Sequence, residues 1–429
     1  MKRAAIWITV LSIICIAYPA WAQMTFRGFI LNQDMFRANE SLDAMLIRNR
    51  LRLNAEIYGE NVAAFASLDV TNDIADTTTT IPNLRDAYID IYNKWLDLRI
   101  GKQQVVWGKT DGYFINDIVN PLDLSYFLLQ DFEDIRMATT MLNARLHYGY
   151  HSLEILVIPE FKPINLQFDG DWGYKRPTVM TIPIPYQGQI IYRDIPLYYA
   201  EDKPPQISLK KAEYALKLNT FLLGSDLSLM YLKIREDRPV YFTQMLFNTS
   251  GIPLQVNLTP THPWQNFFGL NFSKPVGVFV FRGEGGYYPE RHFNTQNQSY
   301  LTKGMIVAKP FTQFMLGADY QLSSALDISV QGINERILDY ESGIQADENV
   351  FIGTLMLRGH FVNETLSPLF LILYNFEDKS SLMRTSVDWN YADNFTITAG
   401  ADFLSGISDT IFGMYDANDN FYLKVKYSF

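Results

Sequence analysis

The sequence holds a single cysteine, Cys15, in 429 residues, so no intrachain disulfide can form. A chain without that crosslink draws its stability from packing and backbone hydrogen bonds. Beyond residue 22 it also lacks any apolar run approaching the ~20 residues of a transmembrane helix. Basic charge is scarce: 36 Lys and Arg stand against 46 Asp and Glu, a formal net charge of −10, which disfavours nucleic acid as a partner. Histidine is rare, and only His147 and His151 lie close. Their spacing of four would align ligands on a helix, whereas their surroundings read as strand and turn. No Ser-His pairing or acidic rim site stands out. The sequence reads as non-enzymatic, with no catalytic residue, metal or cofactor expected.

Aromatic residues are plentiful, at 14 %, with 29 Phe and 26 Tyr. At the N-terminus, Lys2 and Arg3 precede a mostly apolar run from Ala4 to Ala17 and then Ala20-Trp21-Ala22. This is the arrangement of a secretory signal peptide, residues 1–22, cleaved after Ala22. Ile13 and Ile14 precede Cys15, where lipid attachment requires a small residue, so a lipoprotein is excluded. A signal peptide, many aromatics and no membrane helix leave a β-barrel or a large β-sandwich.

Periodicity decides between them. From Met45 to Tyr58 the odd positions are Met45, Ile47, Asn49, Leu51, Leu53, Ala55 and Ile57. The even positions are Leu46, Arg48, Arg50, Arg52, Asn54, Glu56 and Tyr58. A helix would spread the three arginines around its circumference; a strand sets them on one face. The same alternation predicts strands over 25–33, 45–59, 62–70, 84–93, 96–106, 138–149, 152–161, 209–222 and 226–235. It continues over 264–273, 276–288, 311–322, 325–338, 350–363, 366–377, 380–391, 394–404 and 420–429. Lys102 breaks the pattern, and a bulge at Gly101 is expected to reset it. Alternate connections are tight, such as Glu60-Asn61, Lys94-Trp95 and Lys274-Pro275, while 107–137, 163–208, 236–263 and 289–310 are long. The expected fold is an all-β transmembrane antiparallel β-barrel of about eighteen strands over 23–429, with short periplasmic turns and long extracellular loops. Phe421, Leu423, Val425, Tyr427 and Phe429 then face lipid. A last strand ending in phenylalanine resembles the signal read by the outer-membrane barrel assembly machinery. The expected location is therefore the outer membrane of a Gram-negative bacterium.

On this register the lumen carries Arg48, Arg50, Arg52, Arg99, Arg145, Arg282, Arg358 and Arg384, opposed by Asp69, Asp86, Asp90, Glu284 and Asp388. The basic strip on the second strand lies near Lys424 and Lys426, because the last strand closes against the first. Opposed strips create a transverse field that orients a charged solute; the competing reading is ion pairing that fills and braces the wall. In 107–137, Trp107, Asp111, Asn120, Pro121, Asp123, Asp134 and Arg136 mark a constriction or plug. Asn120 and Pro121 predict a short helix cap, and Tyr126 to Leu129 supply it an apolar side. Such a segment is expected to fold into or over the barrel mouth. Loop 163–208, with Trp172, Tyr174, Tyr186, Tyr192, Tyr198 and Tyr199, reads as a self-packed extracellular lid or an aromatic capture surface. Residues 239–248 and 252–259 suit an extracellular hairpin.

The run Gly101-Lys102-Gln103-Gln104, Trp107-Gly108, Asp111, Val119-Asn120-Pro121-Leu122-Asp123-Leu124, ending in Asp131, Glu133-Asp134 and Arg136, resembles a family of proteobacterial outer-membrane barrels without assigned function. That family is related in shape to alginate-export porins, and its members are often encoded beside resistance-nodulation-division-type lipid or hydrophobe exporters. The specific resemblance spans residues 85–160. It implies transport of a small hydrophobic or amphiphilic solute, with an inner-membrane exporter as a partner. Alginate itself fits poorly, since a polyanion channel calls for an arginine-dominated lumen. Three functions follow: a channel gated by 107–137, an outlet for an inner-membrane exporter, and a closed structural or adhesion barrel.

Overall fold

Alternating side chains with period two build a wall that shows one face outward and one inward. The computed structural model describes residues 23–75, 80–186, 188–249 and 251–429, so the signal-peptide reading of 1–22 lies outside the described residues. The wall strands are β1 (Gln23–Arg37), β2 (Ala44–Tyr58), β3 (Val62–Asp73), β4 (Thr80–Asn93), β5 (Leu96–Gln103), β6 (Thr139–Tyr148) and β7 (His151–Ile158). An outer hairpin follows, β8 (Val179–Tyr186) and β9 (Gln189–Tyr199), before wall strands β10 (Glu213–Leu222) and β11 (Ser225–Arg235). A second outer hairpin, β12 (Val240–Phe247) and β13 (Pro253–Thr261), precedes β14 (Trp264–Val276), β15 (Phe279–Asn294), β16 (Ile306–Ser323) and β17 (Leu326–Ile337). The wall ends with β18 (Asn349–Gly359), β19 (Leu366–Asn375), β20 (Ser381–Ala392), β21 (Phe395–Ser405) and β22 (Asn420–Ser428).

The wall is one closed 18-stranded antiparallel sheet, each strand paired with its neighbours in chain order and β1 sealed to β22. At that seam Gly28 and Phe429 exchange both backbone hydrogen bonds at 2.9 Å. Connections segregate: 94–95, 149–150, 223–224 and 393–394 are tight on one rim, whereas 104–138, 159–212 and 236–263 leave from the other. No described helix is long and apolar enough to cross a membrane. Closure satisfies every edge, which an open sheet cannot do.

Local registers differ from expectation most clearly in three places. The turn after β14 is Gly277-Val278, not Lys274-Pro275, because Gly277 supplies the left-handed residue (φ 60°) that a tight turn needs. β5 pairs without interruption from Leu96 to Gln103, so no bulge lies at Gly101. The irregularity sits on neighbouring β4, where Arg85 is the extra residue between Leu84 and Asp86. Gly101 is required for a different reason: at φ 136° a Cβ there would strike the Ala87 carbonyl. Third, β15 and β16 run beyond their expected ends, to Asn294 and back from Ile306.

The two outer hairpins form a four-stranded sheet, β12-β13-β9-β8, with β13 parallel to β9. Ile195, Val256 and Leu258 make its core. It is fastened to the long-loop rim by Asn294, whose amide accepts from Tyr241 N at 3.0 Å and donates to Tyr241 O at 2.6 Å. In the loop leading to it, Trp172 is buried against Tyr415, ring centroids 5.7 Å apart, whereas Tyr192 and Tyr198 are exposed. The lumen is not uniformly polar. Phe267, Tyr288, Val307, Phe311 and Ile337 form one apolar cluster inside the wall, and Met35, Leu46, Leu371, Leu373 and Leu404 belong to another.

Candidate functional site

Segment 104–138 leaves β5 and returns to β6, and its base is tied by Asn120. The Asn120 Oδ1 accepts from Val105 N at 2.6 Å, and its Nδ2 donates to Gln103 O, Met137 O and Thr139 Oγ1 at 3.3, 3.1 and 3.1 Å. With its side chain so engaged, Asn120 caps no helix, and none forms. Instead Leu122 bridges Arg136 in antiparallel fashion, Pro121 O accepts from Met137 N at 2.8 Å, and Asp123 N donates to Ile135 O at 2.6 Å. The Asp123 carboxylate takes Ser125 N at 3.0 Å and Asn165 Nδ2 at 2.9 Å. Phe127, at φ 53°, breaks what helical course remains.

From this base the segment contacts the inner wall on all sides. Toward β7, Trp107 is buried, and its Nε1 donates to Glu154 at 3.2 Å; Lys217 of β10 lies 5.4 Å from its ring. Toward β14 and β15, Asn271 donates to Trp107 O at 2.6 Å, and Glu284 accepts from Lys109 N and, at 3.1 Å, from Asn116 N. Arg282 reaches Asp111 at 2.6 Å and Asp319 at 2.7 Å, with Gln331 of β17 also on Asp111 at 2.6 Å. Tyr113 donates to Glu335 at 2.6 Å, and Ile115 is fully buried against Met315, Ile333 and Ile352. On the opposite wall, Arg384 of β20 is held by Asp402 at 2.9 Å and donates to the carbonyls of Leu128 and Leu129, both at 3.0 Å. Lys424 of β22 pairs with Asp131 at 2.6 Å.

The densest node joins β2, β3 and β4. Arg52 forks Asp69 at 2.6 and 2.7 Å and reaches Asp134 Oδ1 at 2.8 Å; Arg50 binds Asp134 Oδ2, and Arg85 binds Oδ1. Burial alone would push the Asp134 carboxyl up, but the Arg50, Arg52 and Arg85 guanidiniums overcome it and hold it at about 2. It is therefore ionised at neutral pH, and its hydrogen bonds are of the strong, charge-assisted kind. Asp117, buried beside Arg136, is pushed up by that burial, and burial with Glu335 nearby holds the Tyr113 phenol well above its usual range.

Other expected lumen residues stand apart from the segment. Asp90 and Arg99 form a bidentate pair at 2.6 and 2.9 Å, and Arg145 binds Glu154 at 3.3 Å. Asp86 pairs with Arg85 at 3.3 Å, and Asp388 accepts from Thr398 at 2.6 Å. Arg48, by contrast, meets the segment: it donates to Gln33 at 2.5 Å and its guanidinium carbon lies 5.2 Å from the Tyr126 ring centroid. Arg358 is exposed in the short-turn half of β18. Below Trp107 a cavity of about 450 Å³ is lined by Arg99, Arg145, His147, Glu154, Lys217 and Asn219. Arg85, Asn116 and Asn271 escaped sequence reasoning. Arg85 has outward parity in an unbroken strand, and only the bulge turns it inward. No group of three or more potential metal ligands occurs among the described residues.

A closed 18-stranded wall lined by charged side chains is the architecture of outer-membrane porins. The chain belongs to the DUF1302 family, described as a protein of unknown function, whose match covers residues 36–358. No curated protein matches it in sequence. Its fold is similar to that of Pseudomonas aeruginosa OccK2 (OpdF), solved in complex with glucuronate, at 11 % identity and TM-score 0.53 over 95 % of this chain and 98 % of that one. It is also similar to Pseudomonas aeruginosa OccK8 (OprE), at 10 % identity and TM-score 0.53, covering 95 % of this chain and 98 % of that one. Acinetobacter baumannii OccAB4 matches at 9 % identity and TM-score 0.53, covering 96 % and 98 %. At such identities the likeness establishes the fold.

Proposed function

We propose that this chain is a channel of the Gram-negative outer membrane, passing a small hydrophobic or amphiphilic solute, with residues 107–137 as its gate. The observation that carries the reading is the path of segment 104–138: it bonds to β2, β4, β7, β14, β15, β17, β20 and β22, which lie all around the barrel. A barrel that served only as a scaffold has no need to direct buried arginines at a loop inside itself, since desolvating them is costly. Trp107, Asp111, Asn120, Asp134 and Arg136 act as the plug; Arg50, Arg52, Arg282 and Arg384 act as its seat. The outward aromatic and aliphatic face meets outer-membrane lipid, and the last strand serves assembly by the barrel machinery.

Liposome swelling tests this reading. Proteoliposomes of the intact chain should admit small solutes slowly, and those of a chain lacking 112–134 should admit them fast. Equal, negligible rates for two folded barrels would overturn it and favour an outlet that needs an inner-membrane exporter.

A further inference from the structure

We propose that Arg50, Arg52 and Arg85 form a carboxylate-binding site, which Asp134 occupies at rest and which a carboxylate attached to an apolar body takes over during passage. This rests on the channel reading above and names its solute class. Three observations carry it. First, the ion pairs between segment 104–138 and the wall are one-sided among the described residues: Arg50, Arg52, Arg85, Arg282 and Lys424 stand on the wall, and Asp134, Asp111 and Asp131 on the segment. The wall has acids available and the segment has cations, yet Arg136 pairs inside the segment with Asp117, and Glu284 takes backbone N–H groups. The segment thus presents itself to the wall as an anion.

Second, three guanidiniums converge on one carboxylate, Arg52 and Arg85 on Oδ1 and Arg50 on Oδ2. The Arg50 and Arg52 side chains are only 7 % and 9 % exposed. Withdrawing Asp134 would leave Arg50, Arg52 and Arg85 against Asp69 and Asp86 alone, an uncompensated buried cation. A solute anion removes that cost, so its binding and the departure of the plug favour each other. Third, the site has an apolar flank. The Phe29 ring lies 5.5 Å from the Arg50 and 5.0 Å from the Arg52 guanidinium carbon. Phe127 and Leu129 of the segment belong to one apolar cluster with Met35, Leu371 and Leu373 of the wall, an apolar surface that departure of the segment uncovers. A carboxylate with an apolar body matches both halves.

The test records conductance in planar bilayers at fixed ionic strength, with benzoate and its neutral counterpart benzamide as probes. Benzoate should raise wild-type conductance and benzamide should not. Asp134→Asn, checked for folding by its heat-modifiable mobility, should conduct about tenfold more than wild type without any probe, the factor that losing one or two kcal/mol of charged hydrogen bonding supplies. It should gain little further from benzoate, while Asp134→Glu should behave as wild type. A folded Asp134→Asn as closed as wild type, or benzoate and benzamide acting alike, would overturn the proposal. If the chain lacking 112–134 conducts freely while those arms fail, the proposal falls and the channel reading stands. If that chain is closed too, both fall.

Discussion

Replacing Asn120 by Ala should loosen segment 104–138 while leaving the barrel wall intact. The Asn120 side chain makes four hydrogen bonds to both ends of the segment and is 2 % exposed. Truncation leaves the Val105 N–H and the Gln103 and Met137 carbonyls without that partner in a site water reaches poorly. A buried polar group left unmet costs about 1–3 kcal/mol, and partial relaxation makes roughly 3 kcal/mol a fair total. At about 1.4 kcal/mol per factor of ten, the open population of the segment should rise on the order of a hundredfold. Hydrogen exchange of detergent-solubilised protein reads this directly, as faster deuteration of peptides within 104–138 with β14–β17 unchanged. Asn120→Asp sharpens the test. It keeps an acceptor for Val105 N but sets a carboxylate oxygen against two carbonyls, so it should be no milder than Ala. Unchanged protection of 104–138 in both variants would refute the reasoning.

Gly101→Ala should impair folding of the β4–β5 wall, because its Cβ would meet the Ala87 carbonyl and its φ of 136° is strained for any L side chain; a loss of heat-modifiable, folded barrel on electrophoresis checks it. Acid should release the plug late. Asp134 titrates at about 2 when docked against an ordinary 3.8, so the docked state binds fewer protons. Its contribution is fully present above about pH 4 and is lost as pH falls toward 2. Wild-type conductance should therefore match at pH 7 and about pH 5 and rise only below about pH 4; a rise already complete at about pH 5 would place the latch on another group.

The wall was legible because lipid and lumen impose opposite chemistry on alternate residues. β2 shows this best, with Arg48, Arg50 and Arg52 on one face and Ile47, Leu51 and Leu53 on the other. The rule weakens where both faces are apolar. Phe267 is fully buried in the lumen, while its neighbour Phe268 is 47 % exposed on the outer face, and sequence alone gives the two no distinguishing mark. The apolar half of the lumen was missed for that reason. Arg85 was missed because a one-residue bulge inverts a face without changing composition. The helix expected after Asn120 failed because a good capping residue serves other backbone groups equally well when tertiary structure brings them near. The hairpin of β8 and β9 was hidden among prolines that read as loop. What could be read of the candidate site was the list of its charges. Which of them meet depended on where a long segment lies inside a closed wall.

Whether segment 104–138 closes the barrel is read by single-channel recording in planar bilayers of the intact chain and of a chain lacking 112–134. The wild type should be nearly silent, and a large, steady conductance should appear once the segment is gone. Two folded barrels that both fail to conduct would contradict this.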